Sequence, residues 1–207
     1  MTFQWKYFEQ AELTIDGQPS VLNIGAADDP LKFGDKAMHF DIDDWSYTHK
    51  FFTQGDAHYL PFPDQSYDVV IMGDIHEHLR NPFNATLEAA RVTRRLLVMT
   101  IFEEWRLPGP GQHIQGGHEL GDRVSRELGY ADRQDYQVKV FPKRIGYDDD
   151  AETHLVHVWQ FVDADIDKIV NGVELVGFHT KEFVKAYEAT HEGHRWYNWL
   201  ICLERRQ

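Results

Sequence analysis

Asp41 closes the apolar run Met38–Ile42, and a carboxylate ending a buried strand can accept two hydrogen bonds from a ribose diol. Upstream, Val21-Leu22-Asn23-Ile24 runs into Gly25, and a glycine turn after a first strand offers backbone N–H groups to a ligand. Gly55-Asp56-Ala57 precedes Leu60-Pro61-Phe62, and Asp74 closes the next apolar run, with Glu77-His78-Leu79 just beyond it. His76 and His78 could share a metal ion only if the segment were extended, because on the start of a helix their side chains diverge. The reading is therefore of a site with no metal.

These residues need a scaffold that brings the ends of separate strands together. Val21–Ile24 is short, branched and apolar, as a parallel strand covered on both faces should be, and Met38–Ile42, Tyr67–Met72 and Leu96–Ile101 repeat the pattern. About a dozen residues, including Pro30 and Gly34, separate the first two strands, which leaves room for no more than a short helix. Asn81-Pro82 supplies an N-cap and a first-turn proline, and Phe83, Leu87 and Ala90 recur after it at helical spacing. Asp163 is placed to cap a second helix, with Ile166, Ile169 and Val170 facing the core. Glu174 to Glu204 reads as two long strands around Glu192-Gly193, an antiparallel hairpin that closes the sheet.

Residues 102–153 interrupt this rhythm. They open on Leu107-Pro108-Gly109-Pro110-Gly111 and end in Asp148-Asp149-Asp150, as an insertion or cap would. Within them Leu120, Val124 and Leu128 are spaced for a short helix, and Tyr136–Phe141 alternates like an edge strand. The first 18 residues, with Trp5, Phe8 and Leu13 irregularly spaced, suit a lid or an extra helix. The fold expected is α/β, a Rossmann-like and mostly parallel seven-stranded sheet with an antiparallel C-terminal hairpin and helices on both faces. It forms a single domain over residues 1–207.

Composition narrows the partners. With 207 residues, 42% of them apolar, the chain has enough material for one full core. A net charge of −13 repels nucleic acids and anionic membranes, so a small-molecule partner is expected, with no nucleic acid and no membrane. The lone Cys202 lies in an apolar run and precludes an internal disulfide; with no leader-like start, a cytoplasmic location is expected. Eleven acidic residues from Asp28 to Glu77 face four basic ones, Lys32, Lys36, Lys50 and Arg80, over residues 28–80. That balance disfavours a phosphate-bearing dinucleotide and suits a cationic ligand.

The words LNIG, FDID, GDAHYLPFPDQSYDVVIMGD, HEHLRNP and ARVTRRLLVMT, in that order over roughly residues 19–101, resemble the class I S-adenosylmethionine-dependent methyltransferases, in particular their small-molecule type 11 branch. The resemblance implies S-adenosylmethionine as cofactor. Gly25 and Ala26 would border its methionine moiety, Asp41 would hold the ribose hydroxyls and Ile42 would pack on the adenine. Asp56 with Ala57 would meet the adenine amino edge, and Asp74 would lie near the methionine end. Ala27 stands where the family commonly has a second glycine. Alanine prefers negative φ, so the loop should take another path or hold the ligand slightly farther away.

Methyl transfer requires nucleophile, methyl and sulfur to be aligned with water excluded. A hydroxyl acceptor would gain about 10²–10⁴-fold from a general base, for which histidine is suited. Among twelve histidines, His118, which with His113 belongs to the HIQGGH stretch, and His157, just before the last helix, are the candidate catalytic bases. Trp105, Tyr147, Trp159 and Phe161 could wall an aromatic pocket. The function expected is methyl transfer to a small molecule. The alternative is an S-adenosylmethionine-binding protein with other chemistry, or with no catalysis.

Overall fold

The computed structural model describes residues 3–12, 14–105, 161, 163–191 and 194–207, with side chains described apart from 102–105, 187–191 and 194–197. His118, His157 and the predicted elements of the insertion lie outside the described residues.

The chain begins with helix α1 (Phe3–Phe8) and a two-stranded hairpin, β1 (Thr14–Ile15) and β2 (Gln18–Pro19). Strands β3 (Val21–Ile24), β4 (Ala37–Asp41), β5 (Phe52–Gln54) and β6 (Tyr67–Gly73) follow, then helix α2 (Pro82–Val92) and β7 (Thr93–Trp105). Helix α3 (Asp163–Leu175), β8 (Phe178–His191) and β9 (His194–Arg205) complete the order. The main sheet has seven strands in the order β5-β4-β3-β6-β7-β9-β8. Its first five strands are parallel, and β9 runs antiparallel to both β7 and β8. The sheet is thus seven-stranded, mostly parallel and Rossmann-like, with the reversed hairpin the sequence suggests.

From β3 the chain steps outward through β4 to β5 and then returns to pair β6 on the other side of β3. A reversal of strand order opens a crevice at the carboxyl ends of the two central strands. Ile24 is level with Phe40 on one side and with Met72 on the other, so the residues that follow these strands emerge together.

The two faces are covered unequally. On one, Leu22, Ile24, Val70, Met72, Leu97 and Met99 pack under α2 and α3. On the other, Val21, Val69, Ile71, Leu96, Val98 and Cys202 pack under α1 and Phe33. Only a turn of 3₁₀ helix at Gly34–Lys36 stands between β3 and β4, in keeping with the short crossover expected there. Helix α1, with six residues, is too short to persist alone. Burial of Tyr7 and Phe8 fixes it, each aromatic contributing about 1.5–3 kcal/mol.

Local differences from the sequence reading have clear causes. Helix α2 is capped by Asn81, whose Oδ1 accepts the Asn84 amide at 3.1 Å, with Pro82 at the first turn. It turns Ala85, Ala89 and Ala90 inward and leaves Leu87 exposed, because small residues let the helix lie close to the sheet. In α3, Ile166, Ile169 and Val173 are buried, with Val170 half-buried at the margin. Glu174, expected in a strand, sits in the last turn of α3. There its carboxylate accepts the Thr180 amide and hydroxyl at 3.0 and 2.8 Å, and β8 starts after Gly177 at φ 100°. The short strand β5 gave no recognisable apolar run.

Candidate functional site

Gly25 leaves β3 at φ 71°, and its amide donates to the Phe40 carbonyl at 2.8 Å. A Cβ at Gly25 would lie 2.5 Å from Ile75 Cδ1 and 3.0 Å from Cγ1, so the β3 loop lies directly against the turn that follows β6. Ala27 takes φ 43°, so alanine here adopts the left-handed conformation that a glycine would, and the loop keeps that geometry instead of another path. A non-glycine residue in this region costs about 1–2 kcal/mol. The Asp41 carboxylate offsets it, since Oδ2 accepts the Ala27 amide at 2.9 Å while Oδ1 accepts the Asp43 amide at 3.0 Å. Each oxygen keeps a lone pair for a ligand hydroxyl. Beneath the loop, His49 Nε2 donates to the Ala27 carbonyl at 2.6 Å and stacks on His39, whose Nε2 donates to the Gly34 carbonyl at 3.0 Å.

Next to Asp41, Ile42 is 52% exposed, an apolar side chain uncovered at the rim. The Gly55 amide donates to the Asp41 carbonyl at 2.8 Å, which draws the Gly55-Asp56-Ala57 turn to the same end of the sheet. Asp56 turns its carboxylate to Arg80 and His58. Burial opposes its charge, but the His58 amide and ring together with Arg80 outweigh that and hold it below the usual carboxylate range. His58 Nε2 accepts the Asn81 amide at 2.9 Å, so Nδ1 carries the proton given to Asp56. Ala57 is buried behind this pair.

At the β6 end, Asp74 is exposed at φ 50°, and its amide donates to the Thr100 carbonyl at 2.9 Å. Thr100 Oγ1 donates to Asp74 Oδ1 at 2.9 Å and accepts from Gln4 Nε2 at 3.1 Å. Trp5 Nε1 donates to the Leu31 carbonyl at 2.7 Å, so α1 ties β7 to the loop beyond β3. Past Asp74, residues His76–His78 form a 3₁₀ turn. His76 is fully buried; Thr86 gives its hydroxyl proton to Pro82, so His76 Nε2 donates to Thr86 at 3.0 Å, and burial lowers the imidazole to about 3. Glu77 is 3% exposed, and burial, with its own amide opposing and Asp74 adding, raises its carboxyl to about 8. No cluster of three metal-binding side chains occurs among the described residues.

The structure thus brings Gly25, Ala26, Asp41, Ile42, Asp56, Ala57 and Asp74 to the carboxyl ends of β3, β4, β5 and β6. Phe161 is buried in the core against His76, so it walls no open pocket. Thr100 and Gln4 escaped the sequence reading, and Glu77 was noted there without a role. Thr100 carried a usable signal, as the lone polar residue within Leu96-Leu97-Val98-Met99-Thr100-Ile101; Glu77 and Gln4 depend on contacts that no spacing reveals.

Residues 33–96 match the family described as Methyltransferase domain. An uncharacterized methyltransferase of Mycobacterium sp. (strain JLS) is 33% identical over 88 residues, which make up 40% of this chain and 35% of that relative's length. Among solved structures, a SAM-dependent methyltransferase from Methanosarcina mazei superposes with a TM-score of 0.56 at 14% identity, covering 90% of this chain and 92% of that one. The cyclase SpnF superposes with a TM-score of 0.55 at 10% identity, covering 97% and 80%. Both structural likenesses are of fold. No helix among the described residues is long and apolar enough to cross a membrane. The family match over residues 33–96, the curated relatives and the sheet order with its crevice agree in their support for a class I S-adenosylmethionine-dependent methyltransferase, although the chain spans only about a third of the length of the curated relatives it matches.

Proposed function

We propose that this protein transfers the methyl group of S-adenosylmethionine to a small-molecule acceptor by direct displacement. The observation that carries the reading is the crevice between β3 and β6, where the Gly25 loop, the Asp41 carboxylate and the turn after Asp74 meet. Its residues suit the cofactor. Gly25 turns the loop out of β3 at φ 71° with Ile75 packed against it, Asp41 offers fixed acceptors to the ribose, and exposed Ile42 offers an apolar surface to the adenine. With its carboxylate committed to Arg80 and His58, Asp56 serves the adenine edge through the backbone of the Asp56-Ala57 turn. Asp74, turned by Thr100, stands at the methionine end.

Bound there, the cofactor supplies an electrophilic methyl on a cationic sulfur. The chain's share is to fix the ribose and methionine ends so that the methyl presents one face to the acceptor, and to exclude water. His118 and His157 remain the candidate bases for removing the acceptor's proton. The net charge of −13 supports an uncharged or cationic acceptor over a polyanion, and a location in the cytoplasm accords with a soluble acidic chain.

Calorimetry with S-adenosylmethionine and S-adenosylhomocysteine, followed by transfer of labelled methyl to small-molecule extracts, tests the reading. Binding of neither compound to folded protein overturns it. One feature favours the alternative, other chemistry on the bound cofactor: alanine replaces the second loop glycine, in a fold that also serves a cyclase. Breakdown of the cofactor with no acceptor present would select that alternative.

A further inference from the structure

One oxygen of the Glu77 carboxyl, Oε2, is enclosed without a hydrogen-bond partner, while the group folds back on its own amide. A buried carboxyl with an orphaned oxygen is costly, and native proteins keep one where something else completes it. Three positions place Glu77 beside the crevice. It follows Asp74 by three residues and feels that charge; it shares a 3₁₀ turn with His76; and the turn begins at Ile75, the residue that Gly25 touches.

We propose that Glu77 is the buried counter-charge for the α-ammonium of the cofactor's methionine moiety, its orphaned oxygen taking up an N–H of that group. This deepens the proposed function and rests on it. The free protein keeps the carboxyl protonated, since burial and the Asp74 charge both oppose ionisation. Arrival of a cation reverses the balance and expels the proton to solvent, leaving a carboxylate paired with the ammonium. The other groups around the turn do not supply that charge. Thr100 of β7 is neutral, as is Thr86 of α2, and His76 is held neutral by burial. His78, two residues before Arg80, completes the turn, and Arg80 itself is committed to Asp56.

Three ligands separate the possibilities in calorimetry run in buffers of different ionisation heat. S-adenosylmethionine and S-adenosylhomocysteine carry the ammonium; 5′-methylthioadenosine has the same nucleoside without it. With the carboxyl at about 8, binding of either amino-acid ligand near pH 7 should release about 0.9 proton, and methylthioadenosine should release none. Affinity for the first two should rise by up to about tenfold per pH unit below 8 and fall again at higher pH as the ligand's own α-ammonium loses its proton. Glu77→Gln, close to isosteric with the protonated acid, should bind both about tenfold more weakly and with no proton release. Proton-free binding of S-adenosylhomocysteine to the natural protein overturns the inference while sparing the proposed function, as does undiminished release in the variant. No binding of any of the three overturns both.

Discussion

Gly25→Ala tests whether the crevice is built as described. The added methyl group meets Ile75 Cδ1 at 2.5 Å, with Cγ1 at 3.0 Å and Cβ at 3.1 Å behind it, so rotating one terminal methyl cannot relieve the overlap. Overpacking of this kind costs about 1–3 kcal/mol. The left-handed φ of 71° adds about 1–2 kcal/mol for any residue with a Cβ. The expected loss is about 2–5 kcal/mol, a large part of the stability of an ordinary domain. Ile75→Ala in the same chain should return about 1–3 kcal/mol, the overlap portion, and leave the backbone portion in place. Urea unfolding of the single and double variants gives the coupling, and calorimetry with S-adenosylhomocysteine shows whether the loop still receives ligand. A single variant within about 0.5 kcal/mol of the natural protein, or no coupling to Ile75, would refute the contact and the crevice wall drawn from it.

Ala27→Gly removes the strain at φ 43° but loosens the unfolded chain, so urea unfolding should show a gain of no more than about 1 kcal/mol. Thr100→Val keeps the shape of the side chain but deletes the hydroxyl between Gln4 and Asp74; denaturation should show a loss of about 1–3 kcal/mol, and S-adenosylhomocysteine should bind more weakly. His76, lowered to about 3 in the fold, gives stability that is lost as pH falls from about 6.5 toward 3, and Glu77, raised to about 8, gives stability that is lost as pH rises from about 4.5 through 8. The two slopes, each about 1.4 kcal/mol per pH unit, cancel between about 4.5 and 6.5, so Glu77→Gln should flatten the alkaline arm of a urea-unfolding profile and turn the plateau between about 4.5 and 6.5 into a rise with pH.

The parallel strands were legible because burial on both faces writes itself as unbroken apolar runs, as in Val21–Ile24 and Tyr67–Gly73. The cap at Asn81 and the antiparallel pairing of β8 with β9 were legible because capping chemistry and strand patterning are local. The inward face of α2 was not: Phe83, Leu87 and Ala90 fit the period, but how close the helix lies to the sheet decided for alanine over leucine. The strand-end position of Asp41 was legible from the apolar run it closes. The pairing of Asp56 with Arg80 spans 24 positions, and that of Gln4 with Thr100 spans 96, distances over which a single sequence carries no pairing signal. Ala27 shows the reverse case. Its residue type argued for a different loop, and two hydrogen bonds, from its amide to Asp41 and to its carbonyl from His49, hold the unfavourable backbone in place.

Helix α1 belongs to the site on the same reasoning. A threonine hydroxyl has one proton and two lone pairs, and Thr100 commits all three: the proton goes to Asp74 Oδ1, and the lone pairs receive the Gln4 amide and the Asp74 backbone N–H at 3.2 Å. A saturated hydroxyl cannot turn, so Gln4 helps to hold the Thr100 hydroxyl on Asp74. Gln4 shares helix α1 with Tyr7, which hydrogen-bonds Glu182 on β8, and with Trp5, which binds the Leu31 carbonyl. The six residues of α1 thereby connect the far edge of the sheet, the loop beyond β3 and Asp74. A change at the edge strand that frees Glu182 from Tyr7 should therefore reach Asp74 through helix α1 and the Gln4–Thr100 contact, which weaker binding of S-adenosylhomocysteine would report.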